Sequence, residues 1–466
     1  MRSVRPDLVR GLVLVALLVG GAGCARPRGG LVVATSNDLQ GKTSPCGCHT
    51  PKGGLARRAT FVDSLRAAGR EVLVLDAGGF FPVTDDERDA GPFVLEELGR
   101  QGTVAAGVGP NELRFGYSFV RERARAADVA LLCANLVRFE TGAPAFEGWR
   151  TFERAGVRVG VFGLMAEGAD MGPARDSLRV DPVEPAARRA VEALRADGAQ
   201  VVVLLSQLGR AQGESLAVRV PGIDLVVGGG GVPHLDDGVR VGDATAVYGG
   251  HQGWYMGVTE VRAAGTGRAE LAVRTHMLGP GVRDQRATAA AVKVFEDSLN
   301  ARMRRRDAEL AAGTKPGARP EHYVGMSNCV RCHKQEYAQW ATTAHARAWK
   351  TLVDLQKEST PACVGCHVTG YRQPGGFRTA EDAARLANVQ CESCHGMGTD
   401  HREWQENGNT VAEAVCRTCH TPTTSPGFTM AAYRPHVLHT PPADLRPLPE
   451  SPAKKLMREG ADPHGK

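Results

Sequence analysis

The sequence has few aromatic residues and no strong excess of charge of either sign. Phe, Trp and Tyr make up 5% of its 466 residues, and the formal net charge at pH 7 is +6. The basic residues are dispersed and are not gathered with aromatics on one stripe, so no nucleic-acid partner is expected. After residue 24, no apolar run is long enough to cross a bilayer. The length allows two or three domains of ordinary globular composition.

The N-terminus combines the parts of an export signal. Three arginines within the first ten residues precede a short apolar run at residues 12–19, and small residues lead to Cys24. Residues 1–24 are therefore predicted to be a signal peptide that directs the protein to the periplasm. Gly-Ala-Gly-Cys24 resembles a bacterial lipobox, which predicts lipidation of Cys24 and a membrane anchor on the outer side of the cytoplasmic membrane or on the outer membrane. Plain cleavage of the signal peptide is the alternative.

Eight of the twelve cysteines belong to one repeated pattern, C-x-x-C-H. This is the attachment signature of a c-type haem, because two thiols bond to the porphyrin and the adjoining histidine is the proximal iron ligand. A zinc site or a redox C-x-x-C does not need a histidine directly after its second cysteine. The sequence therefore predicts four covalently attached haem c groups. The cysteines are Cys329, Cys332, Cys363, Cys366, Cys391, Cys394, Cys416 and Cys419, and the proximal histidines are His333, His367, His395 and His420.

The predicted haem domain, residues 321–440, provides about 30 residues for each motif, so the haems themselves are expected to form its interior. The order of the motifs and the stretch of residues 337–346, YAQWATTAHA, resemble the tetrahaem cytochrome c family of nitrification. The Pro-rich residues 441–466 that follow are predicted to be a wrapping or disordered tail.

The family resemblance also implies distal iron ligands. His345 lies in a Thr-x-His-Ala setting, His401 follows the third motif, and His439 ends the Pro-His-Val-Leu-His run. Three distal ligands for four irons imply one five-coordinate iron, which the resemblance places at His367. Two other histidines could fill that gap, His322 and His436.

Upstream of the haem motifs, short apolar runs alternate with helical patterns. This alternation is typical of a layered α/β domain. We therefore predict an α/β sandwich over residues 31–280, a helix and linker at 281–320, and then the mainly helical and irregular haem domain. The predicted strands are residues 31–34, 72–75, 129–132, 157–162, 201–205 and 225–227, and the predicted helices are 55–68, 117–127, 185–196 and 288–311.

The turns after these strands carry sequence blocks in a fixed order, at residues 36–41, 53–58, 76–79, 109–112, 205–209 and 221–229. Together they resemble the metallophosphoesterase domain of the 5′-nucleotidase and sugar-nucleotide hydrolase family. That family holds two metal ions with carboxylate, imidazole and amide ligands. Of the ligand positions that the resemblance implies, Asp38 alone is kept, so no dinuclear metal site is expected. The replaced positions hold Gln40, Gly79, Pro110, Asn111, Gln207, Gly230 and Val232.

A Cys46-Gly-Cys48-His49 loop follows the first of these blocks. It resembles a subgroup of exported phosphoesterase-like proteins, some of them fused to multihaem cytochromes. Two interpretations stay open: a redox thiol pair or soft-metal site, and a disulfide or thiol pair without turnover. Cys133 lies in an apolar run and is predicted to be a buried small hydrophobe.

These features favour an exported tetrahaem cytochrome that relays electrons and carries a catalytically silent phosphoesterase-like domain. Its partners would be redox donor and acceptor proteins or quinol-linked complexes. The first alternative is a haem oxidoreductase that acts on a small nitrogen or sulfur species at a five-coordinate haem. The second is a retained metal-dependent phosphoesterase. A further hypothesis is that Cys46 and Cys48 exchange electrons with the haems.

Overall fold

The computed structural model describes residues 30–46, 50–84, 87–262, 269–313, 322–355, 357–358, 360–400, 411–421, 424–425, 427–441 and 443–446. Within these ranges, no helix is both long enough and apolar enough to span a membrane. Four residues named above lie outside the described residues: Cys24, Cys48, His49 and His401. The predicted signal peptide and most of the predicted tail lie outside them as well.

The first part of the described chain is built on β-strands. They are β1 (Leu31–Ser36), β2 (Glu71–Asp76), β3 (Thr103–Gly107), β4 (Ala130–Leu132), β5 (Leu136–Arg138), β6 (Trp149–Arg154), β7 (Val157–Met165), β8 (Leu178–Val180), β9 (Val201–Gln207), β10 (Leu225–Gly228), β11 (Val239–Val241), β12 (Ala244–Tyr248), β13 (Tyr255–Arg262) and β14 (Glu270–Met277). Within the described residues they form two six-stranded sheets and one short pair, β5-β8. The sheet orders are β14-β13-β1-β2-β3-β4 and β11-β12-β10-β9-β7-β6.

The central strands of both sheets are parallel, and antiparallel strands form the edges. β1, β2, β3 and β4 are parallel neighbours, as are β7, β9, β10 and β12. Because both faces of such strands are covered, they read as continuous apolar runs. Valines and leucines of the two sheets pack against each other and form a buried layer between them.

Helices cover the outer faces of the two sheets. They are α1 (Leu55–Ala67), α2 (Ala90–Arg100), α3 (Pro110–Leu113), α4 (Tyr117–Ala126), α5 (Val183–Ala196) and α6 (Arg210–Arg219). The first four lie with the β1 sheet, and α5 and α6 pack on the β9 sheet. This arrangement is a four-layer α-β-β-α sandwich, called the α/β part below. It places the ends of the parallel strands at one edge.

A long helix, α7 (Arg286–Gly313), follows the sandwich and packs against α1. Phe295 of α7 stacks on Phe93 of α2 with ring centroids 4.3 Å apart. Gln285, just before α7, donates to Asp63 of α1 at 2.9 Å. These contacts attach α7 to the α/β part.

The C-terminal part, residues 322–446, contains short helices connected by turns. They are α8 (Met326–Cys329), α9 (Lys334–Trp340), α10 (Ala348–Asp354), α11 (Pro361–His367), α12 (Ala383–Leu386), α13 (Cys391–His395), α14 (Glu413–Arg417) and α15 (Met430–Tyr433). Its apolar cluster is small and consists of Leu352, Val364, Val368, Phe377 and Leu386. A buried carboxylate, Glu392, joins distant segments by accepting backbone N–H groups of residues 324, 325 and 398 at 2.6–2.9 Å.

The predicted fold class is confirmed as an α/β sandwich followed by a mainly helical part. Every predicted strand and helix of the α/β part overlaps an observed one. The sequence patterns did not predict β3, α2 or the antiparallel edge strands. β3 reads Thr-Val-Ala-Ala-Gly, and alanine and glycine, which make up its last three residues, are depleted in strands.

Candidate functional site

The turns after β1, β2, β9 and β10 meet at one edge of the sandwich, where parallel strands end. Asp38 follows β1 and lies at the centre of this edge, 3% exposed. Its Oδ1 accepts hydrogen bonds from Gln207 Nε2 and from the backbone N–H of Gly230, both at 3.2 Å. Its Oδ2 accepts from Asn37 Nδ2 at 3.2 Å and from the backbone N–H of Gly231 at 3.1 Å. Four donors therefore surround the carboxylate, about as many as its lone pairs can accept.

Burial raises the pKa of Asp38, and the four hydrogen bonds oppose that rise because they favour the charged form. Such bonds take the place of water around a buried carboxylate. Groups of the chain itself therefore satisfy the hydrogen-bonding capacity of the Asp38 carboxylate.

Gln207 ends β9 and connects the two sheets at this edge. Its Nε2 donates to the carbonyl of Ala77 at 3.1 Å as well as to Asp38. Gly79, Gly109 and Gly229 come so close to this contact that a Cβ atom at any of them would overlap Asp38 or Gln207. Glycine at these positions therefore permits the close packing of the turns.

Two further carboxylates are fully buried near Asp38. Asp76 accepts from Ser36 Oγ at 2.5 Å and from the backbone N–H of Gly78 at 2.8 Å. Burial raises the pKa of Asp76 to about 7, against the opposing effects of Ser36 and of the Arg58 charge. Burial likewise raises the pKa of Glu112 to about 7, although three backbone N–H groups of neighbouring turns donate to it at 2.8–3.0 Å. Both side chains fix the loops that surround Asp38.

Among the residues that the structure describes, no group of three or more His, Cys, Asp or Glu side chains is arranged to hold a metal ion. Cys46 is disulfide-bonded. Its backbone N–H donates to the carbonyl of Lys52 at 2.9 Å, and the N–H of Lys52 lies 3.3 Å from Cys46 Sγ. Cys133 is buried and free, as predicted, and burial raises its pKa to about 12.

The C-x-x-C-H motifs of the C-terminal part lie on short helical turns. The N–H of His333 bonds to the carbonyl of Cys329 at 3.0 Å, and the N–H of His420 bonds to that of Cys416 at 2.9 Å. A helical turn brings residues three positions apart to one face. Both cysteines of a motif therefore face one side, as two thioether bonds to a single porphyrin require.

The motifs also lie next to one another in pairs. The thiol of Cys329 in the first motif is hydrogen-bonded to Cys391 in the third. The thiol of Cys366 in the second motif is hydrogen-bonded to Cys419 in the fourth. Groups attached at these cysteines would therefore be close neighbours.

Two histidine pairs have the separation that a shared iron needs. The ring centroids of His345 and His420 are 6.1 Å apart, as are those of His395 and His439. If a metal bonds two imidazole nitrogens at about 2 Å each, with each ring centre about 1 Å beyond its nitrogen, the centroids stand about 6 Å apart. Each of these pairs therefore fits a haem iron that two histidines would hold.

Hydrogen bonds at Nδ1 orient several of these rings. The Nδ1 atom of His367 is 2.6 Å from the carbonyl oxygen of Ala348, and that of His420 is 2.9 Å from Ser425 Oγ. His439 Nδ1 is 3.3 Å from Gln339 Oε1. A partner at Nδ1 leaves Nε2 as the nitrogen available to a metal.

The other predicted ligands differ in their surroundings. His401 lies outside the described residues. Among the described residues, no ring contact joins His367 to a second histidine at the separation of the two pairs. Burial lowers the pKa of His345, and the nearby His420 and His367 lower it further, so these three rings lie in one region.

The structure also contains a junction that the sequence patterns did not predict. Glu296 of α7 accepts hydrogen bonds from Thr43 Oγ1 at 2.7 Å and Ser44 Oγ at 2.6 Å. Its second carboxylate oxygen accepts from Lys357 Nζ at 2.5 Å. Glu296 is 253 positions from Thr43 and 61 positions from Lys357, so no local pattern could indicate their contact.

Comparison with known proteins separates the two parts of the chain in the same way. Residues 328–396, which contain the first three C-x-x-C-H motifs, match the family model described as cytochrome c554 and c-prime. The chain is 38% identical over 95 residues to cytochrome c-554 of Nitrosomonas europaea, covering 17% of this chain and 40% of that protein. It is 26% identical over 198 residues to a 5′-nucleotidase of Vibrio cholerae, covering 38% of this chain and 36% of that protein. The chain thus spans less than half the length of these curated relatives.

The fold of the α/β part is also found in solved structures. The 5′-nucleotidase precursor of Thermus thermophilus superposes with a TM-score of 0.53 at 22% identity, over 58% of this chain and 59% of that one. At this identity the likeness concerns the fold.

The C-terminal part thus resembles the cytochrome c554 and c-prime family over residues 328–396, and the α/β part shares its fold with a solved 5′-nucleotidase precursor. More particularly, the C-terminal part is similar to cytochrome c-554, and the α/β part is similar to 5′-nucleotidases.

Proposed function

We propose that this protein is an exported tetrahaem c-type cytochrome that relays electrons. Cys329, Cys332, Cys363, Cys366, Cys391, Cys394, Cys416 and Cys419 would attach the haems, and His333, His367, His395 and His420 would be their proximal ligands. The observation that carries the proposal is the 6.1 Å separation of ring centroids in the His345–His420 and His395–His439 pairs. We assign these pairs to the fourth and third haems, and we keep His401 as the distal ligand of another.

Haem iron supplies a one-electron couple, and the chain would tune it through burial and through hydrogen bonds to the ligands. Two histidine ligands would hold the iron with little change of position when it gained or lost an electron. Ser425 and Gln339 would hold the rings of His420 and His439 at Nδ1. The paired motifs would bring neighbouring haems close, which favours transfer along the array.

We propose domain limits of 31–280 for the phosphoesterase-like domain, 281–320 for the helix and linker, and 321–440 for the haem domain. The leader at residues 1–24 would direct export to the periplasm, with an anchor at Cys24. Redox proteins or quinol-linked complexes on the outer side of the membrane would then be the donor and acceptor.

The test is a spectrum of the purified full-length protein. The expected pyridine haemochrome is that of thioether-linked haem, and the haem stays with the polypeptide after extraction with acidified solvent. The absorption bands should change on reduction and return on oxidation. Haem that can be extracted, or no haem at all, would contradict the proposal.

A haem oxidoreductase is the second candidate. It is favoured by His367, for which the described residues contain no histidine at the separation found in the two pairs. An iron with one open position could bind a small nitrogen or sulfur species. Cyanide or nitric oxide should then shift part of the absorption spectrum, whereas spectra of low-spin haem alone with no shift would count against this candidate.

A retained phosphoesterase is not favoured. Asp38 is the one acidic ligand kept from the family pattern. Its carboxylate already accepts hydrogen bonds from Gln207, from Asn37 and from two backbone N–H groups. We expect no metal-dependent release of phosphate when the purified protein is incubated with nucleotides and Mn²⁺ or Zn²⁺. Metal-dependent turnover would require this view to be abandoned.

A further inference from the structure

The loop that carries Cys46 is connected to the second C-x-x-C-H motif through the junction at Glu296. Thr43 and Ser44 of this loop donate to one carboxylate oxygen of Glu296, and Lys357 donates to the other. The Lys357 and Glu296 side chains are only 17% and 22% exposed, so water screens their interaction little. The loop and the segment before α11 are therefore held together at a partly buried ion pair.

Charges of the same loop reach the attachment cysteine of the second motif. Burial raises the pKa of Cys363, and the ammonium groups of Lys357 and Lys42 oppose this rise. Lys42 is itself paired with Glu87 at 3.2 Å, and Glu87 also acts on Cys363. The charge of Lys42, like that of Lys357, therefore favours the thiolate form of Cys363. Lys42 precedes Cys46 by four residues.

Cys46 itself is close to this junction. It follows Ser44 by two residues, so their Cα atoms are at most about 7 Å apart. Cys46 is disulfide-bonded, and a disulfide can be reduced to two thiols. The backbone N–H of Lys52, 3.3 Å from Cys46 Sγ, would stabilise a thiolate formed there.

We infer that the Cys46 disulfide is a redox centre that exchanges electrons with the haem attached at Cys363 and Cys366. The inference rests on the proposed function, which supplies reduced haem from a redox protein or a quinol-linked complex. It goes beyond electron relay because it gives the phosphoesterase-like domain a redox role of its own.

The exchange balances as a two-electron reaction. The sulfur–sulfur bond at Cys46 breaks, and two thiols form as it takes up two electrons and two protons. Two ferrous haems provide one electron each and become ferric, and water supplies the protons. Oxidation of the thiols by ferric haem is the reverse of this reaction.

The test uses the full-length holoprotein adsorbed on an electrode without oxygen. The potential is lowered in steps, haem reduction is followed by absorption, and free thiols are trapped with N-ethylmaleimide before mass spectrometry of the Cys46 peptide. Alkylation of Cys46 should appear after the haems are reduced and should disappear when they are reoxidised. No alkylation of Cys46 while all the haems are reduced would overturn the inference.

A Cys363→Ala/Cys366→Ala variant, which cannot attach the second haem, should lose this alkylation. Alkylation at the same potential and rate without the second haem would show that the disulfide is reduced by another route.

A second variant decides the question if removal of a haem prevents folding. Lys357→Met keeps all attachment cysteines but breaks the ion pair with Glu296, so Cys46 should be alkylated more slowly. Lys350→Met breaks an exposed pair with Asp354 and should leave the rate unchanged. Equal alkylation rates in both variants would contradict a connection between Cys46 and the second haem through the Lys357–Glu296 ion pair.

The test distinguishes failure of this inference from failure of the proposed function. Haems that are reduced normally while Cys46 stays unreactive contradict this inference alone, whereas haems that do not exchange electrons contradict the proposed function.

Discussion

The side-chain amide of Gln207 donates a hydrogen bond from Nε2 to Oδ1 of Asp38 at 3.2 Å. The sequence resemblance to 5′-nucleotidases predicts a histidine in place of Gln207 at this contact. Here the carboxylate accepts hydrogen bonds from an uncharged amide and from backbone N–H groups. The sandwich can therefore keep its fold with this edge closed by hydrogen bonds.

Restoring an aspartate at Gly79 should destabilise the α/β part. The backbone there has φ +73°, and a Cβ atom would overlap Asp38. Gly156 has φ +74° with open space around it, so Gly156→Asp introduces backbone strain without a steric overlap. We expect Gly79→Asp to lower the free energy of unfolding by about 1–3 kcal/mol more than Gly156→Asp in urea titrations. Equal losses would mean that the edge is not closed as described.

The buried carboxyl of Asp76 should make stability fall as pH rises. Its folded pKa is about 7, whereas an unfolded aspartate titrates near about 4. Between these values the folded state binds the proton and the unfolded state does not, so the stabilisation is complete at low pH and is lost as pH rises toward 7. The full loss in the free energy of unfolding is up to about 4 kcal/mol.

Urea unfolding at pH 5 and pH 8 measures this effect. Asp76→Asn should reduce the fall in stability between the two pH values, whereas Asp297→Asn, on the exposed face of α7, should not. A fall of the same size in Asp76→Asn and in the unchanged protein would assign it to other groups.

Removal of His345 should leave one haem iron without its second histidine ligand. His345→Ala leaves His420 without its partner ring, so a high-spin ferric signal should appear in the electron paramagnetic resonance spectrum and cyanide should bind at an additional haem. His436→Ala is the matched control, because the ring that faces His395 is that of His439. A new high-spin signal in the control, or none in His345→Ala, would reverse these assignments.

The ion pair between Lys357 and Glu296 should hold the loop before Cys46. In Lys357→Met, amide hydrogen exchange at residues 43–46 and 355–358 should quicken by a factor that corresponds to about 1–3 kcal/mol, since a partly buried carboxylate loses its cation. Lys350→Met should change local protection by less than about 0.5 kcal/mol. Unchanged exchange in Lys357→Met would indicate that the loop is held by other contacts.

Local patterns predicted much of the fold and less of the site. The strands β1, β9 and β10 are largely apolar runs, and blocks that resemble phosphoesterases lie at their ends. The attachment motifs could be read directly because their spacing follows from the chemistry of one porphyrin. What no pattern indicated was which residues meet: Gln207 with Asp38, His345 with His420, and Lys357 with Glu296. These pairs are 169, 75 and 61 positions apart, so the packing of the whole chain brings them together.

The central claim is most directly tested by an anaerobic reductive titration of the full-length holoprotein, followed by absorption and electron paramagnetic resonance. We predict that every one of the four C-x-x-C-H motifs contributes one reversible haem electron. We also predict that low-spin signals of haems with two axial histidines dominate the oxidised spectrum. Fewer haem electrons than motifs, or oxidised haems without low-spin signals, would contradict the account.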